Sequence, residues 1–153
     1  MDALRRYAGA RLPEANAVNA HGSVIVGEAT HADGLDHAVR WVDGKIEDLG
    51  VFGLFNWSAL AVDDSGDVIG GTRSNTFNEA FVWTPTTGMM DLSEFLSLYG
   101  IFVPAEYRLE YLYEISGDGL TFAGQARNLL TNKQEGFVAT VPAPGAASLL
   151  ALA

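Results

Sequence analysis

The chain contains a copy of itself. Residues 17–27, Ala-Val-Asn-Ala-His-Gly-Ser-Val-Ile-Val-Gly, return 44 positions later as residues 61–71, Ala-Val-Asp-Asp-Ser-Gly-Asp-Val-Ile-Gly-Gly. Gly9 and Gly53, Ala15 and Ala59, Val24 and Val68, and Ile25 and Ile69 keep the same offset. A worn third copy occupies residues 114–124, with Gly119 53 positions after Gly66, which places an insertion between Leu92 and Ile115. A second block recurs further along each unit as residues 37–41, 79–83 and 135–139, the first two ending in Trp41 and Trp83. A repeated unit of this length cannot bury its apolar face alone, so the chain must fold by stacking neighbours.

Each unit predicts four short strands. Residues 23–28 follow a turn at Gly22, and the matching turn is Asp64-Ser65-Gly66. Residues 37–42 alternate Ala38, Arg40 and Val42 against Val39 and Trp41, and a turn at Asp43-Gly44 leads to residues 45–51. Glycine closing short connections between apolar runs is a hairpin signal. Four strands in about 44 residues is the length of a propeller blade. The expected fold is therefore all-β, a propeller-like array of about three antiparallel four-stranded blades. The expected units are residues 10–53, 54–107 and 108–141, with 142–153 as a separate tail. One short helix is expected in the insertion near 91–99: Asp91 and Glu94 resemble a capping box, apolar residues stand at 92, 95, 96 and 99, and Gly100 terminates it. Its apolar face should cover a sheet edge or the outer surface of a blade.

Composition narrows the partners. A chain of 153 residues with 48% hydrophobic and 18% charged residues supports one globular domain. The formal charge of −10, with nine scattered Lys and Arg, argues against nucleic acid and anionic membrane surfaces. Cysteine is absent, which excludes disulfides and thiolate chemistry. The first residues carry Arg5 and Arg6 without an apolar run after them, so no signal peptide is read there.

Together these blocks resemble the HAF repeat of exported bacterial proteins. The residues that carry the likeness are 17–27, 61–71, Glu79-Ala80-Phe81-Val82-Trp83-Thr84 and Gly88-Met89-Met90-Asp91-Leu92. Residues 141–153, opening Val141-Pro142-Ala143-Pro144-Gly145, are similar to the start of a PEP-CTERM sorting segment, with Ala143 where that family has glutamate and no terminal arginine cluster. The apolar stretch 146–153 is too short for a bilayer span. These likenesses imply an extracellular or cell-surface module from the C-terminal part of a longer propeller. Residues 4–9 would be the last strand of a preceding blade. The implied partners are further blades of a parent chain, self-association through open sheet edges, or extracellular polysaccharide, and the first blade should expose an apolar face.

Chemistry-bearing residues are few. His21, His31 and His37 all fall in the first unit, but they replace ordinary residues at repeat positions and are read as exposed variation rather than metal ligands. Asp63, Asp64, Ser65 and Asp67 form an acidic turn without calcium-loop spacing, read as a solvated hairpin. Glu110 and Glu114 could face together as a carboxylate pair, and Trp41, Trp57 and Trp83 with Phe52, Phe55 and Phe81 could form a sugar-stacking surface. The recurring Trp41 and Trp83 are assigned to inter-blade core. No catalytic residue, cofactor or metal is expected, and the function expected is a non-enzymatic structural or interaction module. The alternative is a carbohydrate-binding or carbohydrate-active propeller, whose ligand would meet Trp57, Glu110 and Glu114.

Overall fold

A computed structural model describes residues 12–51, 53–143 and 149–153. The strand expected over residues 4–9, and Phe52, lie outside them. The repeat becomes three open, antiparallel, four-stranded sheets. The first contains β1 (Glu14–Val18), β2 (Val24–Thr30), β3 (Asp36–Val42) and β4 (Lys45–Asp48). The second contains β5 (Asn56–Val62), β6 (Ile69–Ser74), β7 (Asn78–Thr84) and β8 (Gly88–Asp91), and α1 (Leu92–Ser97) follows directly. The third contains β9 (Tyr107–Ile115), β10 (Thr121–Asn128), β11 (Lys133–Thr140) and β12 (Leu149–Leu152). Each is a meander in which sequence neighbours pair.

The repeated residues build the same two local devices in every sheet. The first is the turn between the first and second strands. Asn19, Asp63 and Ser116 open it, and in each case their N–H and C=O bond across the turn, to Val24 and Gly22, Val68 and Gly66, and Thr121 and Gly119. Their side chains then accept the next free backbone N–H groups: Asn19 Oδ1 from Ser23 and Val24, Asp63 Oδ1 from Asp67 and Val68, and Ser116 Oγ from Thr121. Gly22, Gly66 and Gly119 sit at φ of 70°, 80° and 74°, where a side chain would be strained. The acidic turn is a hairpin with Asp64, Ser65 and Asp67 exposed, as expected, but Asp63, only 3% exposed, is a backbone clamp.

The second device is a bulge. The pairing of first and second strands slips by one residue between Ala15 and Ala17, between Ala59 and Ala61, and opposite Ala123 and Gly124. The residue facing each slip is Gly27, Gly71 or Gly124, and a Cβ there would overlap the carbonyl oxygen of Glu14, Ser58 or Tyr111. Sterics, not backbone dihedrals, keep these three positions glycine.

The sheets pack in sequence order. β5 lies against β1, β2 and β3, and β9 lies against β5, β6 and β7. Between the first and second sheets is a core of Val24, Val26, Ala38, Leu49, Trp57, Ala59, Ile69 and Phe81. Between the second and third is another, including Ala80, Val82, Leu109, Leu112, Phe122 and Phe137. Strand alternation sends Phe81 to one core and its neighbours Ala80 and Val82 to the other, so the middle sheet is buried on both faces. The third sheet is not: on β11, Phe137 and Ala139 are buried while Val138 is exposed. The first sheet presents Ile25 and Ile46 to solvent, but Val39 and Trp41 are buried, so only part of the expected apolar face is open.

Three expectations are refined or corrected here. Of the two places expected for α1, it takes the edge rather than an outer surface: it packs on β7 and the edge strand β8, with Leu92, Phe95 and Leu96 in the core between the second and third sheets. Asp91 does not cap it: its side chain makes no capping hydrogen bond and instead accepts from Arg73 Nε at 3.1 Å. α1 ends at Ser97, and the chain turns out of it through Gly100, φ 76°, with Ile101 N–H bonded to Leu96 O. The tail assigned to 142–153 is not separate either. Residues 149–152 pair with β11, from Thr140↔Leu149 to Phe137↔Leu152, and Leu150 and Leu152 pack on the larger core. Alternating leucines supply what a fourth strand requires, one face apolar and in register.

Candidate functional site

The three residues expected to meet a ligand are dispersed. Trp57 alternates inward from β5 and is fully buried, its ring edge-on to Phe81 at 5.3 Å between centroids and to Phe55 at 6.3 Å. The expected aromatic surface of Trp57, Phe55 and Phe81 exists as a cluster, but it is core. Trp83 packs partly buried beside it, with the Arg40 guanidinium 4.7 Å over its ring.

Glu110 and Glu114 do not share an accessible face. Two pairing slips in β9 interrupt the alternation, so Leu109, Leu112 and Ile115 reach the core at intervals of three residues instead of two. Glu110 is 2% exposed, whereas Glu114 is exposed to solvent. Glu110 is also fully engaged: Oε1 accepts from Arg127 Nε at 2.7 Å and Arg108 Nη2 at 2.9 Å, and Oε2 accepts from Arg127 Nη2 at 3.2 Å. Burial pushes its pKa up, but the hydrogen bonds and charges of Arg127 and Arg108 outweigh burial and hold the carboxyl below the ordinary glutamate range. A carboxylate so held is a poor general acid.

An open concavity lies elsewhere among the described residues, between the first and second sheets. A recess of about 240 Å³ is lined by Glu28, Asp36, Asn56, Trp57, Ser58, Thr72 and Ser74. Asp36 N–H donates to Asn56 Oδ1 at 3.0 Å across the junction, and Thr30 Oγ1 donates to Asp36 Oδ1 at 2.7 Å. Carboxylates, hydroxyls and an amide dominate its wall. The Trp57 ring contributes no exposed stacking face.

A second polar cluster gathers two of the three histidines. His21 stays apart in the β1–β2 turn, whereas His31, in the β2–β3 loop, stacks on His37 at 4.4 Å between ring centroids and 12° between planes. His37 is not the exposed position expected for it. It is 4% exposed, with Nδ1 2.6 Å from Asp48 Oδ2 and Nε2 3.0 Å from Asp33 Oδ2. The Leu35 N–H, helped by both imidazoles and opposed by burial, lowers the pKa of Asp33. Asp33 stood out in no repeated block, and Asp48, which recurs as Asp91, looks like ordinary scaffold until the strands pair.

No helix among the described residues is long and apolar enough to cross a membrane. Comparison with protein-family models, curated proteins and solved structures gave no significant match.

Proposed function

We propose that this chain is a non-enzymatic β-repeat module of the HAF type, propeller-like in arrangement, that serves as a structural or interaction domain at a bacterial surface. The supporting observation is that the repeated residues themselves link one unit to the next. Asn19 Nδ2 donates to Asp64 O at 3.0 Å, and Asp64 N–H donates to Gly117 O at 3.0 Å, joining the three equivalent turns in a row. The first strands β1, β5 and β9 also touch in succession, as strands around a propeller axis do. In this reading the recurring positions serve assembly, and the strongest acid–base candidate, Glu110, is a buried ion-pair anchor.

The test is a panel of chromogenic α- and β-glycosides together with a glycan array, applied to the purified chain and to folded Glu110→Gln. Absence of turnover and of saturable glycan binding in both supports a structural module. Turnover lost in folded Glu110→Gln overturns it in favour of an enzyme. The polar recess at Asn56 and Ser74 favours one second reading, a small saccharide site. Saturable binding abolished by Asn56→Ala would establish that alternative. Antibody labelling of intact producing cells tests the surface assignment, and label reached only after permeabilisation rejects it.

A further inference from the structure

The strand registers of the first two sheets superpose residue on residue, which allows their charged positions to be compared. In the second sheet Arg73 pairs across from Glu79, and Asp91 pairs across from Phe81. Arg73 forms ion pairs with both Glu79 and Asp91, so a protein cation sits between two carboxylates. In the first sheet the corresponding pairs are Ala29 with His37 and Val39 with Asp48. The guanidinium has become a methyl group, while the acid at the strand end remains. His37 stands where Glu79 does, stacked on His31, with Asp33 as a second carboxylate.

One donor atom each from His31, His37 and Asp48 lies within 4.8 Å of the other two. We infer that these three residues form a site for a divalent ion of the zinc, nickel or copper class, which takes the place that Arg73 fills in the second sheet. The ion would enter between His37 Nδ1 and Asp48 Oδ2, leaving His37 Nε2–H to donate to Asp33 Oδ2, the carboxylate–histidine–metal arrangement that fixes the tautomer of a ligand. Tetrahedral bonds of about 2.0–2.2 Å need neighbouring donors about 3.4 Å apart. Rotation of the half-exposed His31 and Asp48 side chains closes the set while His37 stays packed. Two imidazoles and one carboxylate select borderline ions over calcium and magnesium, which prefer oxygen alone. A metal ligand must be unprotonated, so the ion competes with protons for the imidazole donors; the ionisable groups that face His37 are His31, Asp33 and Asp48.

The experiment is calorimetric titration of the tag-free chain at neutral pH with zinc chloride and, separately, calcium chloride. One equivalent of zinc should bind with a Kd on the order of micromolar, with proton release and weakening on acidification. His31→Ala and Asp48→Asn should each raise Kd by more than about tenfold, Asp33→Asn by about tenfold, and His21→Ala should not change it. Calcium should give no heat of binding. His31→Ala lies in an exposed loop and decides the matter if Asp48→Asn proves unstable. No binding at roughly 1 mM zinc, a Kd beyond which a specific site has no meaning here, overturns the inference. Zinc affinity unchanged in His31→Ala overturns it as well.

Discussion

At single positions, two kinds of residue dominate: glycines with no room for a methyl group and a carboxylate with no room for a proton. Gly71 has an ordinary φ, so replacement by alanine would normally be neutral or slightly stabilising. Here the added Cβ meets the Ser58 carbonyl, and Gly71→Ala should cost roughly 1–3 kcal/mol in urea unfolding, with a similar loss for Gly27→Ala. Glu110 should behave as a buried anion. Glu110→Ala leaves Arg108 and Arg127 facing an empty partner and should cost about 3 kcal/mol. Because its folded pKa is depressed, the stability it contributes is complete above the unfolded-state value, about 4.3, and is lost as pH falls through the lower folded value. Wild-type stability measured from pH 6 down to 2.5 should therefore fall most steeply below about pH 4, and Glu110→Gln should flatten part of that slope.

Among the elements, the repeated turns and the inserted helix carry separable loads. Asn19 holds its own turn through two backbone N–H groups and reaches the next turn through Asp64 O. Asn19→Ala removes these three bonds and a fourth, from Asn19 Nδ2 to Ser23 Oγ, and should cost about 1–3 kcal/mol, while Asn19→Asp, which mimics the second unit, should keep the turn and lose the link. A thermal melt of the two variants separates these contributions. α1 is worth what its buried face is worth, since six residues are too few for a stable isolated helix. Phe95, edge-on to Phe122 at 5.8 Å, is its anchor, and Phe95→Ala should cost about 3–5 kcal/mol. The helical pattern at 92, 95 and 96 was readable in advance. Its destination was not, because an apolar stripe specifies burial but not the partner.

Across the whole molecule, two cores share one central sheet. Hydrogen exchange should show the deepest protection in β6, β7 and β10, and the least in β4, whose four residues are all exposed, and in β1. Phe81→Ala acts on the first core and Val82→Ala on the second, from adjacent positions. If the stack is one cooperative unit, both variants shift a single unfolding transition. If protection in β1 to β4 falls only with Phe81→Ala, the first sheet opens independently of the other two.

The repeat period, the hairpin turns, the glycines and the insertion were legible in the chain because they are local: each is set by a few consecutive residues and by the alternation of side chains along a strand. What lay beyond sequence were contacts between residues far apart in it. Trp57 was grouped with aromatics that could stack on a sugar, yet the packing of β5 on the first sheet buries it. Glu110 and Glu114 looked like a pair until bulges in β9 turned them apart, and the apolar tail looked like an appendage until it paired with β11. His37 looked like surface variation until Asp33 and Asp48 came to either side of its ring. Local chemistry determines which strands and turns can form; only the stacking of sheets decides which side chains lose water and which charges meet.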